Sequence, residues 1–180
     1  MLTITIPDVE MYDEKTNNFF TIKGQTLQLE HSLVSISKWE SKWNKPFLSK
    51  NDKTLEETID YIKCMTITQN VNPDVYKNLS KSNIDEINKY IGAPMTATTF
   101  SNNNQKGRSQ ETVTNELIYH WMIALNIPME CQKWHLNRLL TLIRVCNIKN
   151  TPPKKRSRRD INSEYAALNA ARRKQFNTKG

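Results

Sequence analysis

Residues 26–43, TLQLEHSLVSISKWESKW, change their hydrophobic period half-way, and that change decides the fold. TLQLE alternates apolar and polar side chains, as a strand with one buried face requires. From His31 onward the apolar positions are Leu33, Ile36, Trp39 or Glu40, and Trp43, spaced by three and four. That spacing builds one face of a helix, and Ser32 stands where an N-cap belongs. The chain therefore leaves a small β element and enters a helical body.

Towards the N-terminus, LTITI alternates again, and MYDEKTNNFFTI sets a polar, turn-forming centre between apolar ends. Residues 1–31 read as an antiparallel element of two to four short strands. In the other direction helices dominate. KTLEETIDYIKCMTI opens with Thr54 three residues before Glu57, a capping-box spacing, and Leu55, Ile59, Ile62 and Met65 are expected to share a face. Asn72 and Pro73 suit the cap and first position of another helix. SNIDEINKYIG follows, with Ser82 as expected cap, an apolar face of Ile84, Ile87 and Ile91, and Gly92 as its stop. APMTATTF reads as extended and SNNNQKGRS as a loop. The densest apolar segments, Ser109 to Asn126 and residues 129–148, flank Pro128 and predict an antiparallel helical hairpin. KNTPPKKRS reads as a linker, and RDINSEYAALNAARRKQF as a helix that is marginal without a partner. The fold class expected is α+β, predominantly α-helical: a body over 1–148, with a hairpin-like β element at 1–31, and a basic linker and helix over 149–180.

Charge is divided in the same way. Of 26 basic and 18 acidic residues, ten basic and two acidic lie from Lys149 onward. The last segment thus carries the whole formal charge of +8, and the body is neutral. Such asymmetry points to an electrostatic partner for Lys154, Lys155, Arg156, Arg158, Arg159, Arg172 and Arg173. Basic clusters bind nucleic acid through phosphates, resemble nuclear-localisation patches, or dock on acidic protein surfaces. No aromatic residue is interleaved within 149–160, so a stacking platform for single strands is not expected there. A solvated connector is the plainer alternative.

Cys64, Cys131 and Cys146 are odd in number and widely spaced, which suits reduced thiols in a cytosolic compartment. The N-terminus lacks the basic and apolar regions of a secretory signal, and no apolar run reaches the length of a membrane span. His120, Cys131, His135 and Cys146 are ligand-type residues, and Cys131 and His135 are one helical turn apart. Their other spacings fit no standard zinc site. A Cys–His nucleophile would need an orienting group, and no nucleophile elbow or phosphate-binding glycine loop occurs. No enzyme, metal or cofactor is expected. Trp39 and Trp43 are set among polar residues, so a half-buried helix with its indoles near the surface is expected, as core or as partner contact.

LQLEHSLVSISKWESKWNKPFL, EETIDYIKCMTITQNV, PMTATTF, ELIYHWMIALNIPMECQKWHLNRLLTLIRVCNIKN and ALNAARRK together resemble tail assembly chaperones of long-tailed bacteriophages, in the form found in phages of Gram-positive hosts. The likeness extends from about Thr3 to Lys179. It implies a mostly helical, non-enzymatic viral protein of the host cytoplasm, absent from the mature virion. Its partners would be the tape-measure protein, a very long helix-rich chain, and the tail-tube protein, with self-association open. A structural virion protein, such as a head–tail connector component, and a nucleic-acid-binding accessory protein are the alternatives.

Overall fold

The computed structural model describes residues 1–13, 17–100, 112–152 and 157–178. The expected loop at 101–109, the start of the helix expected from Ser109, and Lys154, Lys155 and Arg156 lie outside them. The chain is α+β and mainly helical. Four short strands, β1 (Leu2–Ile6), β2 (Val9–Asp13), β3 (Asn18–Ile22) and β4 (Gln25–Leu29), precede α1 (Leu33–Trp43), α2 (Leu55–Met65), α3 (Lys81–Gly92), α4 (Asn115–Ala124), α5 (Leu136–Asn150) and α6 (Arg158–Phe176). Two 3₁₀ turns, Pro73–Asn78 and Met129–Lys133, complete the order. The chain forms two units, Met1–Asn147 and Ile148–Gly180.

The strands make two antiparallel pairs, β1 with β4 and β2 with β3. Both pairs keep one register: Leu2 faces Leu29, Ile6 faces Gln25, Val9 faces Ile22 and Asp13 faces Asn18. They are therefore one long hairpin, interrupted where Pro7–Asp8 lies opposite Lys23–Gly24. Pro7 has no N–H to donate to a ladder. Asp8 Oδ1 instead accepts from Gly24 N at 2.7 Å. The strands pass so closely that a Cβ on Gly24 would stand 2.1 Å from Ile6 O and 2.5 Å from the carbonyl carbon of Pro7. Only glycine fits.

This kink turns the ribbon over. In the inner half Ile4, Ile6, Leu27 and Leu29 are buried. Strict alternation carried through the kink would put the Val9–Ile22 pair on the opposite, solvent face. Ile22 is 5% exposed, so beyond Gly24 the other face looks inward. The free side of β4 is covered: Ile67 N donates to Gln28 O and Glu30 N to Met65 O.

α1 and α2 pack against each other and share one buried apolar cluster with the sheet, and α3 lies against β1. Ser32 caps α1, accepting from Ser35 N at 3.3 Å, and the Thr54–Glu57 capping box opens α2 as expected. The α2 face differs from expectation. Leu55 is 69% exposed, whereas Glu57 and Asp60 turn inward. Polar partners on and after α1 draw them in: Lys45 Nζ donates to Glu57 Oε1 at 2.5 Å, and Trp43 Nε1 to Asp60 Oδ2 at 2.9 Å.

Three further boundaries differ. α3 starts earlier than expected, because Ser80, not Ser82, caps it in a reciprocal pair with Asn83. Residues 73–78 form a 3₁₀ turn rather than an α-helix, still capped by Asn72. The segment expected as one helix over 129–148 is broken. After the Met129–Lys133 turn, His135 bridges to Ser32, and Leu136 N donates to His31 O at 2.7 Å. That bond ties the chain to the β4–α1 junction, and α5 begins only beyond it. The expected helical hairpin is not the main packing unit, since α4 lies chiefly on α1.

A buried carboxylate makes that last contact. Thr114 offers no side-chain cap to α4. Glu40 on α1 does so instead: its Oε2 accepts from Asn115 N at 2.8 Å and from Asn115 Nδ2 at 2.6 Å, while Oε1 accepts from Phe47 N at 2.6 Å. A negative group at a helix N-terminus also meets the favourable end of the helix dipole.

Candidate protein-binding surfaces

The contact residues expected from the sequence fall into different environments. Trp39 is 1% exposed, and its Nε1–H donates to Glu57 O at 2.9 Å. It stacks beside Trp43 at 6.2 Å between ring centroids and meets Phe47 edge-on at 5.2 Å. Trp39 is thus core, not an indole near the surface. Trp43 is half-buried, with the Lys42 and Lys45 ammonium groups 5.8 and 5.9 Å from its ring centroid. Lys45 holds the Glu57 carboxyl below its usual range. Burial pushes Asp60 up, but hydrogen bonds from Lys42 and Trp43 outweigh it and leave that carboxyl low as well. The corner is a set of satisfied pairs.

The residues considered as metal ligands do not gather. His120 is exposed, Cys131 and His135 are buried, and Cys146 is half-buried. Among the described residues no group of three or more His, Cys, Asp or Glu could hold a metal ion. All three cysteines are free. Burial raises the Cys64 thiol, which opposes the thiolate a nucleophile needs.

His135 belongs to a buried polar cluster that also contains His31. The two rings meet edge-on at 5.1 Å. His31 Nδ1 lies 2.5 Å from Tyr61 Oη. His135 Nε2 lies 3.0 Å from Tyr90 O, and Asn137 N donates to His135 Nδ1 at 3.3 Å. A ring that donates at one nitrogen and accepts at the other is neutral. Burial, with His135 close by, lowers His31 to about 4. Burial also lowers His135, against the opposing pull of the Tyr90 carbonyl and Glu30. This arrangement joins elements: β4, α2, α3 and α5 all meet through it.

Apolar surface is exposed elsewhere. Past the kink, β2 and β3 place Met11, Tyr12, Phe19 and Phe20 at 39, 48, 75 and 46% exposure. Successive strand residues face opposite sides. Register therefore puts Met11 with Phe20 on one face and Tyr12 with Phe19 on the other. The Tyr12 and Phe19 rings are 5.0 Å apart. A two-stranded ribbon with apolar pairs on both faces buries neither of them. The sequence shows this as the doublets MY and FF, where alternation would have paired each apolar residue with a polar one.

In the second unit, Arg158, Arg159, Arg172 and Arg173 are exposed along α6. Tyr165, Leu168 and Phe176 are exposed on the same helix. Among the described residues no helix is long and apolar enough to cross a membrane. Comparison of the chain with family models, with curated proteins and with solved structures finds no match.

Proposed function

We propose that the protein is a non-enzymatic tail assembly chaperone of a long-tailed bacteriophage, which holds the tape-measure protein, and the tail-tube protein that assembles around it, in the host cytoplasm. The observation that carries this reading is the β2–β3 ribbon, with large exposed apolar side chains on both faces. A holding protein needs apolar surface that is presented without unfolding its own core. The ribbon supplies it on a stalk anchored by the buried inner half of the same hairpin. The sequence resemblance names the partner.

Coexpression with a tape-measure fragment tests it. The intact chain should keep the fragment soluble and copurify with it. Phe19→Thr with Phe20→Thr keeps strand-forming side chains and should abolish the rescue while leaving the melting temperature of the chaperone unchanged. A fragment that remains insoluble with the intact chain, or a double variant that rescues fully, refutes the reading.

A further inference from the structure

The arginines of α6 are placed with respect to its apolar residues. Arg158, Ile161, Tyr165, Leu168, Arg172 and Gln175 follow one another at steps of three and four. That is the seam of a two-helix pairing, in which alternating steps keep one stripe facing a partner. Three apolar layers lie in the middle, and an arginine stands at each end of them. Tyr165 and Leu168 are exposed and Ile161 is half-buried, so the seam is open.

The first turn adds a second observation. Arg158 and Arg159 share the first turn of the helix with Asp160, which leaves that turn net positive where the dipole disfavours positive charge. A further acidic group, from a partner, would relieve the remaining repulsion and pair with a guanidinium at once. A second copy is a poor occupant. In a parallel pair Arg158 and Arg172 would each meet their own counterpart. In an antiparallel pair of offset layers Arg172 would fall against Ile161.

We propose that α6 is a docking helix for a different protein, and that its partner is an amphipathic helix with apolar layers bracketed by Asp or Glu. Charge complementarity selects the ends, and Ile161, Tyr165 and Leu168 select a helical stripe over a phosphate backbone, which would leave them uncovered. The seam is distinct from the ribbon, so the inference does not depend on the tape-measure reading.

The test uses the full chain and a labelled synthetic helix with three Leu layers between two Glu layers. Its twin carries Lys at the Glu positions. Fluorescence anisotropy should show saturable binding of the Glu peptide, with the Lys twin weaker by roughly tenfold or more, the scale of one or two charge-assisted contacts. Arg158→Glu with Arg172→Glu should invert that preference, and Leu168→Ser should weaken both. Circular dichroism of each variant separates lost contacts from lost helix. Equal affinity for the two peptides, binding of neither, or a charge reversal without inversion overturns the proposal. So does displacement of the Glu peptide by duplex DNA or by anionic phospholipid vesicles at physiological salt, which would assign the seam to those partners. Self-association that Leu168→Ser abolishes and the Glu peptide does not compete with would assign it to a second copy.

Discussion

At the scale of single residues, most polar atoms inside the body have identifiable partners, and their loss has a calculable cost. Trp39 fills the space between α1, α2 and Phe47 and satisfies the Glu57 carbonyl. Trp39→Ala should cost about 3–5 kcal/mol, as large aromatic truncations in cores do. Trp43→Ala, at a half-buried position, should cost less. Urea unfolding of the two variants ranks them, and equal costs would contradict the burial difference. Glu40 accepts from three N–H groups, all of them uncharged. Glu40→Gln turns an amide NH₂ towards at least one of those donors and should cost about 1–3 kcal/mol. Amide exchange at Asn115 and Phe47 should quicken with it. Neither role was legible in SKWESKW. The spacing places position 39 or 40 on the buried face of α1, but what a Glu at position 40 accepts from emerges only when Asn115, far along the chain, is placed against it.

At the scale of elements, the hairpin is the part whose design decides what is exposed. Gly24→Ala would force a Cβ into backbone at a 2.1 Å approach. The backbone cannot yield as a flexible side chain would, so a loss of about 2–3 kcal/mol is expected, within the range for strained close-packed positions. Thermal melting measures it. Chemical-shift changes should centre on Ile6–Val9 and Ile22–Gln25, and a neutral substitution would show that the ribbon passes Gly24 with room to spare. β1 and β4 were legible from their alternation, β2 and β3 from the apolar ends around a polar, turn-forming centre, and α1, α2 and their caps from spacing and cap chemistry. The break before α5 was not. MECQKWHLNRLL has no helix-breaking residue inside it, and the break comes from the Leu136–His31 bond.

At the scale of the whole molecule, the histidine cluster joins elements distant in sequence, so its protonation bears on the body's stability. His31 is lowered to about 4 from an ordinary value of 6.5, which means the unfolded chain binds the proton more tightly. The stabilisation is complete above pH 6.5, falls as pH drops below that value, and is exhausted near pH 4. About 2 kcal/mol should be gone by pH 5, because each tenfold difference in proton affinity between the folded and unfolded chain is worth about 1.36 kcal/mol. His135 is lowered in the same direction and adds to the slope. The carboxyls of Glu57 and Asp60 are lowered as well, so their stabilisation is lost only as pH falls below the ordinary carboxyl range, beneath the interval from pH 7.5 to 5. Urea midpoints between pH 7.5 and 5 measure the effect, and His31→Gln should flatten the slope. A midpoint constant over that range would mean that the imidazoles accept protons without disturbing the fold.

Local rules suffice for much of this protein. Hydrophobic period marks β1, β4 and most helices, cap chemistry marks the starts of α1 and α2, and the charge count isolates the basic segment, because all three act over a few residues. Long-range packing settles the remainder. Trp39 is core because α2 closes over it, and Phe19 and Phe20 are bare because a glycine kink carries them past the body. His31 is a neutral link between elements because it is buried and His135, far later in the chain, lies against it. Sequence spacing lists which side chains are available, and burial and proximity, which depend on residues far apart in the chain, assign them their chemistry.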